Sequence, residues 1–134
     1  MVNGRNKGAA WERDVAKMLF YELGIGFKRD LEQYRAGEHG DLIPDDPAFP
    51  FTLELKRYKD GPIGGQSAWW QQTCVAAKRE GKFPALLYKY DRKPMRCVIP
   101  MAALQPCDHS YTVEMNFETF CYITREIMSD ANPF

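Results

Sequence analysis

The segment 51–60, FTLELKRYKD, alternates apolar and polar residues at its start and is typical of a β-strand. Side chains two positions apart on a strand share a face, so Leu53 and Leu55 lie on one face and Glu54 and Lys56 on the other. The segment otherwise has the composition of a buried strand. The fold must therefore accommodate a carboxylate and an ammonium group side by side against an apolar interior.

The size and composition of the chain indicate one domain spanning residues 1–134, and 45% of the residues are hydrophobic, which is enough for a core. The N-terminus is polar and no run of about 18 apolar residues occurs, so we expect a soluble, cytoplasmic protein with no membrane partner. The four cysteines form no Cys-x-x-Cys pair. They are expected to be reduced and buried rather than to bind zinc.

The charge is balanced, with 18 Lys plus Arg and 18 Asp plus Glu. A neutral chain has no overall attraction to nucleic acid, so any such binding needs a local basic patch. For any single basic residue, an ordinary solvated charge is the simpler interpretation. The candidate basic positions are Arg5, Lys7, Lys28, Arg29, Arg35, Lys56, Arg57 and Lys59.

The order of predicted elements is helix, three strands, helix, two strands, strand and helix. Because strands lie between helices, we predict an α/β fold with a mixed central β-sheet flanked by helices. Residues 1–6 are predicted to form a flexible basic arm. The predicted helices are 8–23, 67–80 and about 116–128, and the predicted strands are 25–34, 41–44, 51–58, 83–90, 95–100 and about 110–115.

Two acidic residues are expected to converge. Asp41 opens the strand that precedes Glu54, and a hairpin between the two strands brings them side by side. Neighbouring carboxylates repel each other unless a cation neutralises them. Hard oxygen ligands of this kind suit Mg²⁺ or Mn²⁺. A surface ion pair between Glu54 and Lys56 is the plainer alternative.

Glu12 is the third acidic residue of interest. On a helical wheel it lies among Val15, Ala16, Leu19 and Leu23, in the middle of the apolar stripe of the first helix. A glutamate in such a place is seldom left without a partner. One interpretation is a buried ion pair with Lys56. The other, which explains all four positions together, is a carboxylate directed at the same cation site.

The order of these residues resembles the PD-(D/E)xK nuclease superfamily. The matching motifs are Glu12 on the first helix, "GD" ending at Asp41, and "ELK" with Glu54 and Lys56, followed by a helix. Gly40 stands where the proline of the motif is expected. The resemblance implies a restriction-endonuclease-like core.

A more specific resemblance covers residues 5–100. "RNKGAAWERDVAKML", "GEHGDLIP", "FPFTLELKR" and "WWQQTCVAAKREGKFPALLYKYDRKP" are similar to archaeal and phage Holliday junction resolvases. By that match Gln72 is the helix glutamine near the site, with Gln71 as the alternative. Residues 101–134 match nothing specific and are expected to extend the core. The protein is then prokaryotic or phage-encoded and acts in the host cytoplasm.

The resemblance implies hydrolysis of a DNA phosphodiester. Asp41 and Glu54 would hold Mg²⁺, for which Mn²⁺ substitutes, with the Leu55 carbonyl as a third oxygen. Glu12 would bind a second metal ion or its waters. Lys56 would orient the attacking water or stabilise charge in the transition state, and Gln72 completes the catalytic set.

The expected substrate is branched double-stranded DNA, cut as a four-way junction by a homodimer. Trp69, Trp70 and the strand FPALLYKY offer material for a dimer surface, although packing within the protomer also explains the tryptophans. The residues expected to touch DNA are Arg5, Lys7, Arg35, His39 and Lys59.

Two alternatives to a junction resolvase remain open. One is a general or sequence-specific PD-(D/E)xK nuclease of the restriction or repair type. The other is a catalytically silent DNA-binding module with the same fold. The presence of Glu12, Asp41, Glu54 and Lys56 argues against the silent module.

Overall fold

The computed structural model describes residues 4–30 and 40–131, and the side chains from residue 8 onward within that part. The helices are α1 (Gly4–Leu23), α2 (Ser67–Glu80) and α3 (Phe117–Ala131), with a 3₁₀ turn at Met101–Ala103. The strands are β1 (Phe27–Arg29), β2 (Leu42–Pro44), β3 (Phe51–Tyr58), β4 (Phe83–Tyr90), β5 (Arg96–Pro100) and β6 (Thr112–Asn116). Over these residues no helix is long and apolar enough to cross a membrane.

The six strands form one sheet in the order in which they follow along the chain. β3 and β4 are parallel, and every other neighbouring pair is antiparallel. Two parallel neighbours need a long crossover, which α2 supplies, whereas antiparallel neighbours can be joined by shorter connections. The predicted mixed sheet with flanking helices is therefore confirmed.

The larger core lies on one face of the sheet, beneath α1 and α3. Trp11, Val15 and Leu19 are spaced four residues apart, so they form one buried stripe along α1. They belong to the same cluster as Leu53 and Leu55 of β3, and that cluster also contains Phe120 and Cys121 of α3. The predicted apolar face of the Leu53 strand is thus the face that carries the main core.

The opposite face of the sheet packs against α2. Trp69 is 5% exposed and stacks on Tyr58 with 4.9 Å between ring centroids. It shares a second apolar cluster with Leu86, Tyr88, Tyr90 and Val98, against which Trp70 is partly buried. The prediction that Trp69 and the FPALLYKY strand supply a dimer surface is therefore wrong. That strand, β4, is central in the sheet, and Trp69 is needed to cover it.

Several boundaries differ from the sequence predictions. α1 already includes residues 4–6 of the predicted arm, whose residues 1–3 lie outside the described part of the chain. β1 covers three residues of the predicted strand 25–34, of which residues 31–34 also lie outside it. Within residues 101–131, β6 pairs with β5, and the Phe120 ring of α3 lies 5.2 Å from the Phe51 ring of β3. All four cysteines are free thiols. Cys97 and Cys121 are buried as predicted, whereas Cys74 and Cys107 are partly exposed.

Candidate active site

The carboxylates of Asp41 and Glu54 meet where β2 begins beside the middle of β3. The Asp41 amide donates to the Leu53 carbonyl at 2.7 Å, and the Leu55 amide donates to Asp41 Oδ2 at 2.7 Å. The side chains of Asp41 and Glu54 are also hydrogen-bonded to each other. Asp41 is 8% exposed and Glu54 5%. The backbone of β3 therefore fixes one acid directly beside the other.

Gly40 makes this close approach possible. A Cβ atom at this position would lie 2.2 Å from the Leu53 carbonyl oxygen and 2.8 Å from the Leu53 nitrogen. Any side chain would therefore push the start of β2 away from β3 and separate Asp41 from Glu54. This steric restriction explains why a glycine stands where the proline of the motif is expected.

The environment of Glu54 disfavours its charge. Burial, repulsion from Asp41 and the hydrogen bond between the two acids together raise the pKa of Glu54 to about 9, while Lys56 opposes the increase. A carboxyl group with this pKa stays protonated at neutral pH unless a cation replaces the proton. The site thus has the electrostatic character of a cation site.

Lys56 projects from the same face of β3 as Glu54, toward α2. Its Nζ donates to Gln72 Oε1 at 2.9 Å. Both candidate glutamines are exposed, and Gln72 is the one whose side chain contacts Lys56. The amide restrains a long and flexible side chain close to the two acids.

Glu12 lies at the border of the buried stripe of α1 rather than at its centre, because Trp11 rather than Ala16 completes that stripe. Its Oε1 accepts a hydrogen bond from Arg29 Nε at 2.9 Å, so its partner is Arg29 and not Lys56. Burial raises the pKa of Glu12, and Asp41 also raises it, while Arg29 lowers it. Glu12 is therefore close enough to Asp41 for the two carboxylates to interact electrostatically.

The sequence analysis had named Arg29 only as a general basic position. Its place follows from the β1–β2 ladder, in which Arg29 pairs with Leu42, the residue after Asp41. The Asp30 amide also donates to the Asp41 carbonyl at 3.0 Å. The sequence shows basic residues on the strand before the "GD" strand, but it does not tell which of them, Lys28 or Arg29, meets Glu12.

The donor atoms fit a hard divalent cation. Leu55 directs its amide toward Asp41, and in an extended strand the carbonyl of the same residue points to the same side. Within residues 8–30 and 40–131 no group of three or more His, Cys, Asp or Glu side chains is arranged to hold a metal ion. Two carboxylates and a carbonyl still suit Mg²⁺, which binds through one or two carboxylates, several waters and substrate phosphates.

The predicted DNA contacts are only partly described. Lys59 is exposed in the loop that follows β3. Arg5 and Lys7 lie in the first two turns of α1, but their side chains are outside the described part of the chain. Arg35 and His39 are also outside the described residues.

The chain is similar to known proteins in its sequence and in its fold. Residues 3–128 match the model of the family described as "Phage putative PDDEXK endonuclease". The chain is also similar in structure to Hjc, a Holliday junction resolvase from Archaeoglobus fulgidus. The TM-score is 0.57 at 16% identity, over 88% of this chain and 98% of that one. No curated protein matches the sequence. Because the family model covers nearly all of its length, the protein belongs to the phage PD-(D/E)xK endonuclease family.

Proposed function

We propose that this nuclease is a metal-dependent, structure-selective DNA endonuclease that resolves four-way junctions by phosphodiester hydrolysis. The observation that carries the catalytic part is the buried pair of Asp41 and Glu54 beside Lys56. A plain structural role would not place two acids in hydrogen-bonding contact inside the protein, because each raises the electrostatic energy of the other.

Asp41, Glu54 and the Leu55 carbonyl would hold Mg²⁺, or Mn²⁺ in its place. The ion supplies charge neutralisation at the phosphate and a water of lowered pKa. Glu12 lies within electrostatic range of Asp41 and would bind waters of this site or a second ion. Its ion pair with Arg29 fixes the carboxylate at the border of the site.

Lys56 and Gln72 contribute the remaining chemistry. The Lys56 ammonium group, held by Gln72 at 2.9 Å, would stabilise the negative charge that develops on the phosphate. Because the amide keeps the ammonium group in place before substrate arrives, little reorganisation is needed during the reaction. Gln72 acts through Lys56 and is therefore a positioning residue.

The choice of a branched substrate is supported by the likeness to the Archaeoglobus resolvase, at the level of the fold. A four-way junction has two symmetry-related strands to cut, and a C₂ homodimer is the commonest way to provide two sites. A dimer would also combine the basic positions of two neutral protomers into one surface able to bind phosphates.

A general or sequence-specific nuclease of the restriction or repair type remains the second candidate, since the family match fits it equally well. One assay separates the candidates. The protein is incubated with Mg²⁺ and with four-way, Y-shaped, single-stranded and linear duplex DNA of matched sequence, and the cuts are mapped. We expect paired cuts near the branch of the four-way junction. Equal cutting of linear duplex would favour the general nuclease, and binding without cutting in any metal would favour a silent module.

A further inference from the structure

The loop between β3 and α2 presents one fully exposed aliphatic side chain. Ile63 is 98% exposed, although the surrounding loop lies directly between the strand of Glu54 and Lys56 and the helix of Gln72. A single exposed isoleucine is common on protein surfaces. Ile63 differs from such a residue because its loop is anchored by hydrogen bonds and lies beside a cavity.

The loop is anchored on both sides of Ile63. The Pro62 carbonyl accepts a hydrogen bond from the Tyr90 hydroxyl at 2.7 Å, and the Gly64 amide donates to the Tyr88 hydroxyl at 2.9 Å. Gly64 and Gly65 have φ angles of 86° and 78°, which favour glycine. Ile63 is thus held outward by a braced turn, so little conformational entropy is lost when the side chain is buried by a ligand.

A cavity of about 340 Å³ lies beside this loop, with Ile63 and the Tyr90 ring among its walls. This volume is at the lower end of the range that binds small organic groups. Arg96 and Glu114 lie in the cavity wall and are joined by an ion pair of 3.1 Å. Arg96 uses one of its five N–H donors in that bond, so others remain for a ligand.

The charges at the mouth of the cavity favour an anionic ligand with an apolar portion. Lys59 and Lys93 are exposed, and neither ammonium group has an ion-pair partner among the described side chains. Of the three acids in the lining, Glu114 is paired with Arg96 and Asp91 with Arg57, which leaves Asp60 exposed. The uncompensated charge is therefore positive.

The cavity lies near the proposed catalytic groups. Lys56 and Tyr88 are partners in the parallel β3–β4 ladder, and Tyr88 pairs with Arg96 on β5. With neighbouring strands about 4.8 Å apart, the cavity wall at Arg96 lies about 10 Å from the Lys56 backbone. Because partners on parallel strands share a face, Lys56 and Tyr88 project to the same side of the sheet. DNA held at Lys56 could therefore place a nearby nucleotide at the cavity.

We propose that this cavity binds an unpaired nucleobase of the DNA substrate, with Ile63 as a wedge that packs on the base or on the step it leaves. Apolar side chains such as isoleucine are used in this way by proteins that open base steps. The apolar walls would pack against the faces of a base, and Arg96 would donate hydrogen bonds to its polar edge. Lys59 and Lys93 would pair with the flanking phosphates. The inference rests on the proposed function, since it requires a DNA substrate with disrupted stacking.

The test uses 2-aminopurine, a base analogue whose fluorescence rises when it leaves the stack. It is placed at the branch of a four-way junction and at the same position of a linear duplex, and the full chain is added without divalent metal. We expect the fluorescence to rise on the junction. Ile63→Ser should remove most of that rise and weaken junction binding about tenfold, because the apolar side chain that the base would bury becomes small and polar.

Leu104→Ser is the matched control. Leu104 is 46% exposed and follows β5 at the end of that strand opposite Arg96, so the change replaces an exposed aliphatic side chain away from the cavity. It should behave as the parent. If Ile63→Ser gives the full fluorescence rise while junction cleavage continues, the base site is overturned and the proposed function stands. If the parent protein neither binds nor cuts any DNA, both are overturned.

Discussion

The Asp41 carboxylate accepts the Leu55 amide at 2.7 Å and is hydrogen-bonded to Glu54, so one side chain both closes the β2–β3 contact and forms half of the acidic pair. The fold and the proposed chemistry depend on the same atoms. Substitutions of Asp41 or Glu54 should therefore affect cleavage, metal binding and the stability of the fold, and these effects can be measured separately.

Asp41→Asn and Glu54→Gln should each abolish cleavage, since they remove charge from the cation site while nearly preserving shape. DNA binding should be retained or improved, because phosphates no longer meet two ionisable acids. Cleavage rates and binding isotherms in Mg²⁺ measure both effects. Glu126→Gln, an exposed change on α3, is the control and should leave both unchanged. A wild-type cleavage rate for Glu54→Gln would reject the assignment.

The pKa of Glu54 predicts how stability depends on pH. In metal-free buffer the folded protein keeps this proton up to about 9, whereas the unfolded chain releases it near the ordinary value of 4.5. Between these values the folded state binds more protons, so the free energy of unfolding falls as pH rises. The contribution of Glu54 is fully present at lower pH and is lost as pH approaches about 9.

Thermal melts across this range check the prediction, with Glu54→Gln as the comparison. The variant cannot titrate at this position, so its melting temperature should depend less on pH than that of the parent. Mg²⁺ should raise the melting temperature of the parent, and more so at higher pH, because a ligand that binds the folded state stabilises it and here competes with the proton. Equal pH profiles for the two proteins would contradict the assigned pKa.

Glu12→Gln should abolish or strongly reduce cleavage with little change in stability. Its ion pair with Arg29 is only partly buried, with 30% of the Arg29 side chain exposed, so water can solvate the arginine that remains. The expected loss is about 1 kcal/mol or less. A fully buried structural pair would instead lose about 3 kcal/mol. Chemical denaturation separates the two. Glu22→Gln is the control, because it is also on α1 and removes an exposed ion pair, to Arg125 of α3.

Gln72→Leu should lower the cleavage rate about tenfold without loss of DNA affinity, since it removes one hydrogen bond that positions Lys56. Gln71→Leu alters the exposed neighbour and should have little effect. Single-turnover rates separate this change from effects on binding. If the two variants were equally slow, the helix as a whole rather than the Lys56 contact would be responsible.

Much of the site could be predicted because it depends on local rules. Strand alternation fixed Glu54 and Lys56 on one face, and hairpin adjacency brought Asp41 to Glu54. The partner of Glu12 could not be predicted in this way. Its contact with Arg29 depends on the register of the short β1–β2 ladder, and the sequence alone does not set that register.

Trp69 shows the same limit on the other face of the sheet. Spacing along a helix identifies which residues share a face, but it does not tell whether that face meets the protomer itself or a second copy. In the structure the Trp69 indole packs within the protomer, against Tyr58 of β3 and against Tyr88 and Tyr90 of β4. Such an arrangement becomes visible only when β3 and β4 are known to be parallel neighbours.

The last prediction concerns the substrate. One site of this size cuts one strand at a time, so paired cuts before dissociation require two sites at a fixed separation. Because Trp69 and β4 are buried within the protomer, the dimer must form through another surface. We expect a dimer on the junction that makes symmetric nicks near the branch, prefers the junction strongly over linear duplex, and binds less tightly as salt is added. Sedimentation of the protein–junction complex and mapping of both nicks on one junction measure this. A monomer on the junction, or uncorrelated single nicks, would favour the general nuclease.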